Sequence, residues 1–323
     1  MKFYICFLFI FLCISNYKSQ ELFPFTEPAS NVPKNAIGLR ILNESYTEAD
    51  LIRGLYALRL MYGLTPRLSI MATANISNHH AKDFPNNLAT HTHEDGQANF
   101  STGDYVVGIY HPYKFNGVSF YSKYRFVSVD GKNKHFRMAA FANYSYFDVK
   151  HDEAEPNLLD DNKGFGSGII TTYLKNKFAV SLTSGIILPS DVEGTIDDPD
   201  GSGPVPTKMQ YGRAVEYNLS FGYLVYPRKY KSYNQTNWNV YLEFMGKAYE
   251  KAKITQYNII DVPISTPLLM SGNYVDVCPG IQAIVKSNLR IDFAVKFPLI
   301  NKSYAHFYPL FTLAVQRYFF TKK

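Results

Sequence analysis

Cysteine is nearly absent from this chain of 323 residues. Of the three, Cys6 and Cys13 lie in an apolar leader, so only Cys278 remains beyond it and that part can form no internal disulfide. We read Cys278 as a small residue in a strand. No apolar run after the leader approaches the ~20 residues that a spanning helix requires, which excludes a helical membrane protein. There is no GxSxG, no HExxH and no P-loop. His111, His151 with Asp152, and His306 are the nearest candidates for catalysis, and none sits in a pattern that defines a nucleophile. No Ser/Gly/Pro linker or block of like charge divides the chain. The net charge of +6 becomes +4 when Lys2 and Lys18 leave with the leader, too diffuse for a nucleic-acid partner.

The leader "MKFYICFLFIFLCISNYKSQ" has one early lysine, an apolar run from Phe3 to Ile14 and a polar end. That layout predicts a secretory signal peptide over 1–20, cleaved near Ser19 or Gln20. Cys13 follows the bulky Leu12, where a lipidated cysteine follows a small residue. Residues 21–33 are then expected to form a short periplasmic segment, 34–320 one domain, and 321–323 a tail.

What the chain does have is alternation. In "NLRIDFAVKFPL", Leu289, Ile291, Phe293, Val295, Phe297 and Leu299 share one parity, and Arg290, Asp292, Ala294 and Lys296 the other. Successive side chains of a strand point to opposite faces, so one face is oily and the other charged. The texture recurs at about 34–43, 50–62, 67–77, 117–128, 134–147, 164–174, 177–188, 211–226, 236–248, 273–285, 289–299 and 307–320. A tilted strand needs ~9 to 11 residues to cross a bilayer, and these segments have that length. A secreted β-sandwich would turn the oily faces inward, and a transmembrane barrel would turn them to lipid.

The connections favour the barrel. Short links at Gly63, Asp130, Lys175 and Ser287 alternate with long polar segments at about 78–116, 148–163, 189–210, 249–272 and 300–306. Short periplasmic turns alternating with long extracellular loops are the mark of outer-membrane barrels, and an even strand count leaves both ends on the periplasmic side. Aromatic residues near strand ends (Tyr62, Phe136, Tyr146, Tyr226, Trp238, Tyr274, Tyr318 and Phe319) predict interfacial girdles. The expectation is an all-β, single closed antiparallel transmembrane β-barrel of about twelve strands.

"FYPLFTLAVQRYFFTKK" resembles the C-terminal aromatic assembly signal of Gram-negative outer-membrane barrels, although "TKK" follows the aromatics. With "YGLTPRLSI" as strand, tight turn and strand, the chain resembles the transporter-type barrels grouped with the phenol meta-pathway outer-membrane proteins. The resemblance is one of texture along the whole chain. It implies an outer-membrane location, passage of small, hydrophobic solutes, and as partners the bilayer with its lipopolysaccharide, the barrel assembly machinery and the solutes themselves. With no motif that fixes a nucleophile, no enzyme activity and no cofactor are expected.

Strand parity places Arg40, Arg53, Arg59, Lys123, Arg125, Arg137, Lys247, Arg290 and Lys296 inside as cations, with Glu216, Glu243, Asp276 and Asp292 as acids. The first five predicted strands then supply only cations, giving a basic wall that faces a mixed one. Such a lumen is either a polar path favouring anions or dipolar solutes, or a closed interior of structural ion pairs. A closed interior leaves a structural or adhesive barrel with partner-binding loops; an outer-membrane hydrolase is a further alternative. A roomy lumen would tolerate arginine at Ala294. In the longest loop His79, His80, His91 and His93, beside Glu94 and Asp95, form a candidate metal cluster without regular zinc spacing. Asp197, Asp198 and Asp200 before Gly201 make half of a calcium loop, without its distal glutamate.

Overall fold

The structure, a computed structural model, describes residues 23–48, 51–78, 97–98, 105–106, 113–147, 163–197, 203–229, 232, 234–257, 259–260, 270–302 and 309–320. The signal peptide, His79, His80, His91, His93, His111, His151, Asp152, Asp198, Asp200, His306 and the tail 321–323 lie outside the described residues.

The strands in chain order are β1 (Ala36–Glu48), β2 (Leu51–Gly63), β3 (Leu68–Ser77), β4 (Gln97–Ala98), β5 (Tyr105–Val106) and β6 (Lys114–Asp130). Next come β7 (Lys134–Phe147), β8 (Gly164–Lys175), β9 (Phe178–Pro189), β10 (Val192–Asp197), β11 (Pro204–Gln210) and β12 (Ala214–Tyr226). The last are β13 (Asn237–Tyr249), β14 (Lys253–Gln256), β15 (Ile259–Ile260), β16 (Gly272–Val285), β17 (Leu289–Lys302) and β18 (Leu310–Phe320). Twelve of them close into one antiparallel barrel in the order β1-β18-β17-β16-β13-β12-β9-β8-β7-β6-β3-β2. Each barrel strand thus lies beside its sequence neighbours in the barrel, and the ends meet along β1 and β18 from Ala36 opposite Phe320 to Ser45 opposite Phe311.

The short connections set one end of the barrel, the turn end. Between β16 and β17, Lys286 and Ser287 both have positive φ (50° and 52°), and between β8 and β9 Asn176 has φ 55°. Positive φ at both central residues is the tight hairpin geometry whose twist matches that of the paired strands. At the opposite, loop end the chain builds more than the alternation predicts. β10, β11, β14 and β15 form a separate four-stranded sheet, and β4 pairs with β5. These short strands carry too few alternating residues to stand out from the polar loops around them.

Which face is oily is unambiguous. Phe293 is 47% exposed on the outer surface while its neighbour Ala294 is 1% exposed inside. The same outward apolar parity appears in Leu58, Ile70, Phe120, Ile169, Leu182, Val240 and Leu313. Arg290, Asp292 and Lys296 are buried inside. An apolar belt around a closed barrel with charges within is the inverse of a sandwich and fits strands that span lipid. Of the aromatics expected at interfacial girdles, Tyr146, Tyr226 and Trp238 are exposed on the outside, but Tyr274 and Tyr318 are buried and turn inward. Tyr318 packs instead with Val32, Ala36, Met61 and Met71.

Residues 23–33, expected as a short periplasmic segment, run inside the barrel, and Gly63 marks the point where the segment meets the wall: a Cβ there would lie 2.0 Å from the Pro33 carbonyl oxygen. Room inside is correspondingly short, since Ala294 lies 3.1 Å and Pro24 lies 3.4 Å from a Cβ placed on Gly280. Phe293→Arg is expected to cost about 2 to 4 kcal/mol of folding free energy in lipid vesicles, and Phe293→Leu close to nothing. Ala294→Arg also lowers folding yield, in contrast to the tolerance expected of a roomy lumen, because the new side chain meets Gly280 and Pro24. Chemical-denaturant titrations of vesicle-bound protein rank the three.

Candidate functional site: the lumen and its N-terminal plug

Of the charges that strand parity turned inward, all but Arg125 and Arg137 lie within the barrel. Arg40, Arg53, Lys123, Glu243, Lys247, Asp276, Arg290, Asp292 and Lys296 are buried, and Arg59 and Glu216 are partly so. Arg125 and Arg137 are half-exposed at the turn-end mouth. There Arg125 donates to the Pro66 carbonyl (3.0 Å), and Arg137 donates to Asp130 (3.3 Å). The expectation of a purely cationic wall in the first five strands fails at Glu44. This residue lies in β1 one position beyond the predicted strand end, and it pairs with Lys296 at 2.8 Å.

The second compensating acid comes from the plug. Glu27 accepts from Arg59 (3.0 Å) and from Lys123 (3.2 Å). Lys123 also donates to the Pro28 carbonyl at 2.7 Å, and Arg40 to the Pro24 carbonyl at 2.5 Å. Arg290 donates to the Phe23 carbonyl and, at 2.7 Å, to Asp292. Arg137 donates to the Ser30 hydroxyl at 2.9 Å. On the opposite wall the plug's own donors are met. The amides of Phe25 and Thr26 each donate to the Glu243 carboxylate at 3.0 Å, and the Thr26 hydroxyl contacts both Glu243 and Ser220. The Ala29 amide donates to the Thr172 hydroxyl at 2.9 Å. Apolar anchors complete the fit: Phe23 meets Tyr241 edge-on at 5.7 Å, and Ala29 packs with Ala139, Phe141 and Ile170.

A segment rich in proline suits this role. Pro24, Pro28 and Pro33 lack backbone donors and resist regular strand pairing, which leaves carbonyls free for the lumen cations. Behind it a second network braces the wall. Gln282 donates to Asp292 (2.6 Å) and accepts from Tyr241 (2.7 Å) and Asn239 (3.2 Å). These polar neutrals share the inward parity of Glu243 and Asp276, and the sequence offers no reason to single them out. Glu27 lay in a stretch with no alternation to assign it a face.

On the loop side of the plug a cavity of about 240 Å³ remains, floored by Phe25 and Glu27 and walled by Met71, Tyr121, Phe141 and Glu216. An apolar groove of about 500 Å³ crosses the neighbouring wall over β2, β3, β6, β7 and β8. It shares Met71, Phe120, Tyr121, Asn143 and Phe165 with the cavity. Among the described residues no group of three or more His, Cys, Asp or Glu is placed to hold a metal ion.

Burial alone would push the Glu27 carboxyl up, but the charges of Lys123, Arg59 and Arg40 and the Lys123 hydrogen bond outweigh it and hold it at about 2, below its ordinary 4.5. A lowered value means that the ionised carboxylate stabilises plug docking above about pH 4.5, and that this contribution fades as pH falls toward about 2. Hydrogen exchange of the Phe25, Thr26 and Ala29 amides is therefore expected to quicken across that window. Glu27→Gln starts with less protection at neutral pH and loses less of it on acidification.

No family model and no curated protein matches the chain. Among solved structures, an outer membrane channel from Pseudomonas putida F1 is similar with a TM-score of 0.55 at 13% identity, covering 93% of this chain and 100% of that one. The Pseudomonas putida toluene transporter TodX is more distant, with a TM-score of 0.38 at 7% identity over 89% of this chain and 90% of its own. The first likeness extends over nearly the whole of both chains and agrees with the strand count and closure: this protein has the fold of the outer-membrane channel barrels.

Proposed function

We propose that the protein is an outer-membrane channel for small hydrophobic solutes, with its loop end outside the cell, its turn end in the periplasm, and its lumen closed to free ion flow by residues 23–33. The observation that carries this reading is that the apolar groove on the outer wall and the cavity above the plug share Met71, Phe120, Tyr121, Asn143 and Phe165 in their linings, so that the two lie back to back across one patch of wall. An apolar molecule can settle among the aromatic and aliphatic side chains of the groove, one wall's thickness from the cavity, whereas a hydrated ion meets a lumen filled by protein. The similar solved structure is itself described as an outer membrane channel, which supports the assignment.

The basic side chains take a different part from an open anion path. Lys123, Arg40 and Arg290 hold plug carbonyls, and Arg59 and Lys123 hold Glu27. They serve as the receptor for the plug, which a passing solute must shift.

Two measurements test the reading. In planar bilayers the full-length protein is expected to conduct weakly, and a variant lacking 23–33 to give large stepwise openings. In vesicles, Ala142→Trp, which fills the wall groove, is expected to slow entry of an apolar dye several-fold while leaving ion conductance unchanged. If the groove variant takes up the dye at the wild-type rate, the apolar route is wrong. If the truncated variant stays silent as well, the structural or adhesive reading stands in its place.

A further inference from the structure

Resting on the channel reading above, we infer that the cavity above the plug is a recognition site for a small organic ammonium with an apolar body, and that Glu216 is the residue that reads its charge. Two glycines make the site. Gly168 of β8 and Gly185 of β9 stand opposite each other in the ladder, and the side chains laid over them occupy the space that Cβ atoms would take. A Cβ on Gly168 would fall 2.7 Å from the Phe141 ring. One on Gly185 would fall 2.6 Å from a Glu216 carboxylate oxygen and 3.0 Å from the same ring. The carboxylate is thus held beside the Phe141 ring, and that ring stacks on Tyr121 at 5.5 Å between centroids.

The other charges of the cavity are already engaged. Glu27 is shared by Arg59 and Lys123, which consumes the charge of the plug on this side. Lys163 lends its stem to the lining while its ammonium lies over the Tyr146 ring, 5.4 Å from the centroid, on the exposed outer side. Glu216 differs. Lys247 stands opposite it across the β12–β13 pair and acts on it through charge, but no hydrogen bond from a described residue reaches its carboxylate. A carboxylate without hydrogen-bond donors beside two stacked aromatic faces offers what an alkyl- or arylammonium needs: an acceptor for its N–H groups and π surfaces for its charge and carbon frame. Phe25, Met71 and Ile187 supply the rest of the apolar lining. Among the described residues the cations that line the cavity, Arg59 and Lys163, are turned to Glu27 and to the Tyr146 ring, so an anion of equal size would meet the Glu216 charge.

The probes are 2-phenylethylammonium, 2-phenylethanol and phenylacetate, which share one ring and chain and differ in head charge. Binding is measured calorimetrically to the full-length protein in detergent at pH 7. The ammonium is expected to bind at least tenfold more tightly than phenylacetate, with the alcohol between them. Glu216→Gln should remove that ranking, so that the ammonium binds no better than the alcohol. Gly185→Val, which fills the cradle, should weaken all three. Equal or tighter binding of phenylacetate to the wild type overturns the inference without recourse to any variant, and so does a ranking unchanged by Glu216→Gln. If none of the three binds while the apolar dye still enters vesicles through the groove, this site is wrong and the channel reading survives. Ammonium binding with no dye entry keeps the site and removes the channel.

Discussion

Closure of the barrel along β1 and β18 is the constraint from which the rest follows. In hydrocarbon no water is present to satisfy a bare N–H or C=O, so a spanning sheet must have no edge. Ten residue pairs from Ala36–Phe320 to Ser45–Phe311 seal that edge. Once it is sealed, the period of two leaves no choice about the other face: whatever is not apolar points into the lumen. Arg40, Arg53, Lys123, Glu243, Asp276, Arg290, Asp292 and Lys296 are all confined there and nearly sealed from solvent. Buried ions without partners are costly by several kcal/mol each, so a narrow barrel with this many of them needs something inside it to complete their bonding.

The N-terminal segment answers that need with matched chemistry on opposite walls. Its carbonyls and the Glu27 carboxylate go to cations of β1, β2, β6 and β17, and its amides go to the carboxylate of β13 and the hydroxyl of β8. A strand could not do this, because its donors and acceptors would alternate and be used in a ladder. An irregular stretch broken by Pro24, Pro28 and Pro33 presents carbonyls in excess and can be shaped to a polar cylinder. Plug and lumen are in this sense one unit, and loss of a receptor charge unbalances the segment as well as the wall.

The strands were legible because a face exposed to lipid and a face exposed to a lumen differ sharply in transfer energy, and the alternation records that difference residue by residue. Phe293 and Asp292, or Val240 and Glu243, could be assigned to sides from spacing alone. Glu44 was lost because β1 runs to Glu48, past the point where "NESYTE" stops alternating in hydrophobicity although it continues in pairing. The plug was lost for a different reason. "FPFTEPASNVP" has no period, and its place is set by complementarity to ten or so side chains brought together only by closure. Tyr274 and Tyr318 show a third limit: an aromatic near a strand end serves an interface or an inner packing cluster equally well, and only its parity, shared with buried Asp276 and Gln316, places each of these two inside.

The same accounting explains where space is left over. Along β1, β2, β6, β13 and β17 long charged side chains meet the plug and fill the barrel. At Gly168 and Gly185 the wall of β8 and β9 contributes no side chains, and on this side Phe141 and Glu216 lie flat against the backbone. A void in a barrel of fixed strand number is therefore a matter of side-chain volume at two facing positions. It opens on the side where the wall groove also approaches, beside β6, β7 and β8. Small residues in the wall, a plug anchored mainly to other strands, and a Glu216 carboxylate that accepts no hydrogen bond from the described residues coincide here, so that on the proposed reading a solute at this place would leave the ion pairs of the plug intact.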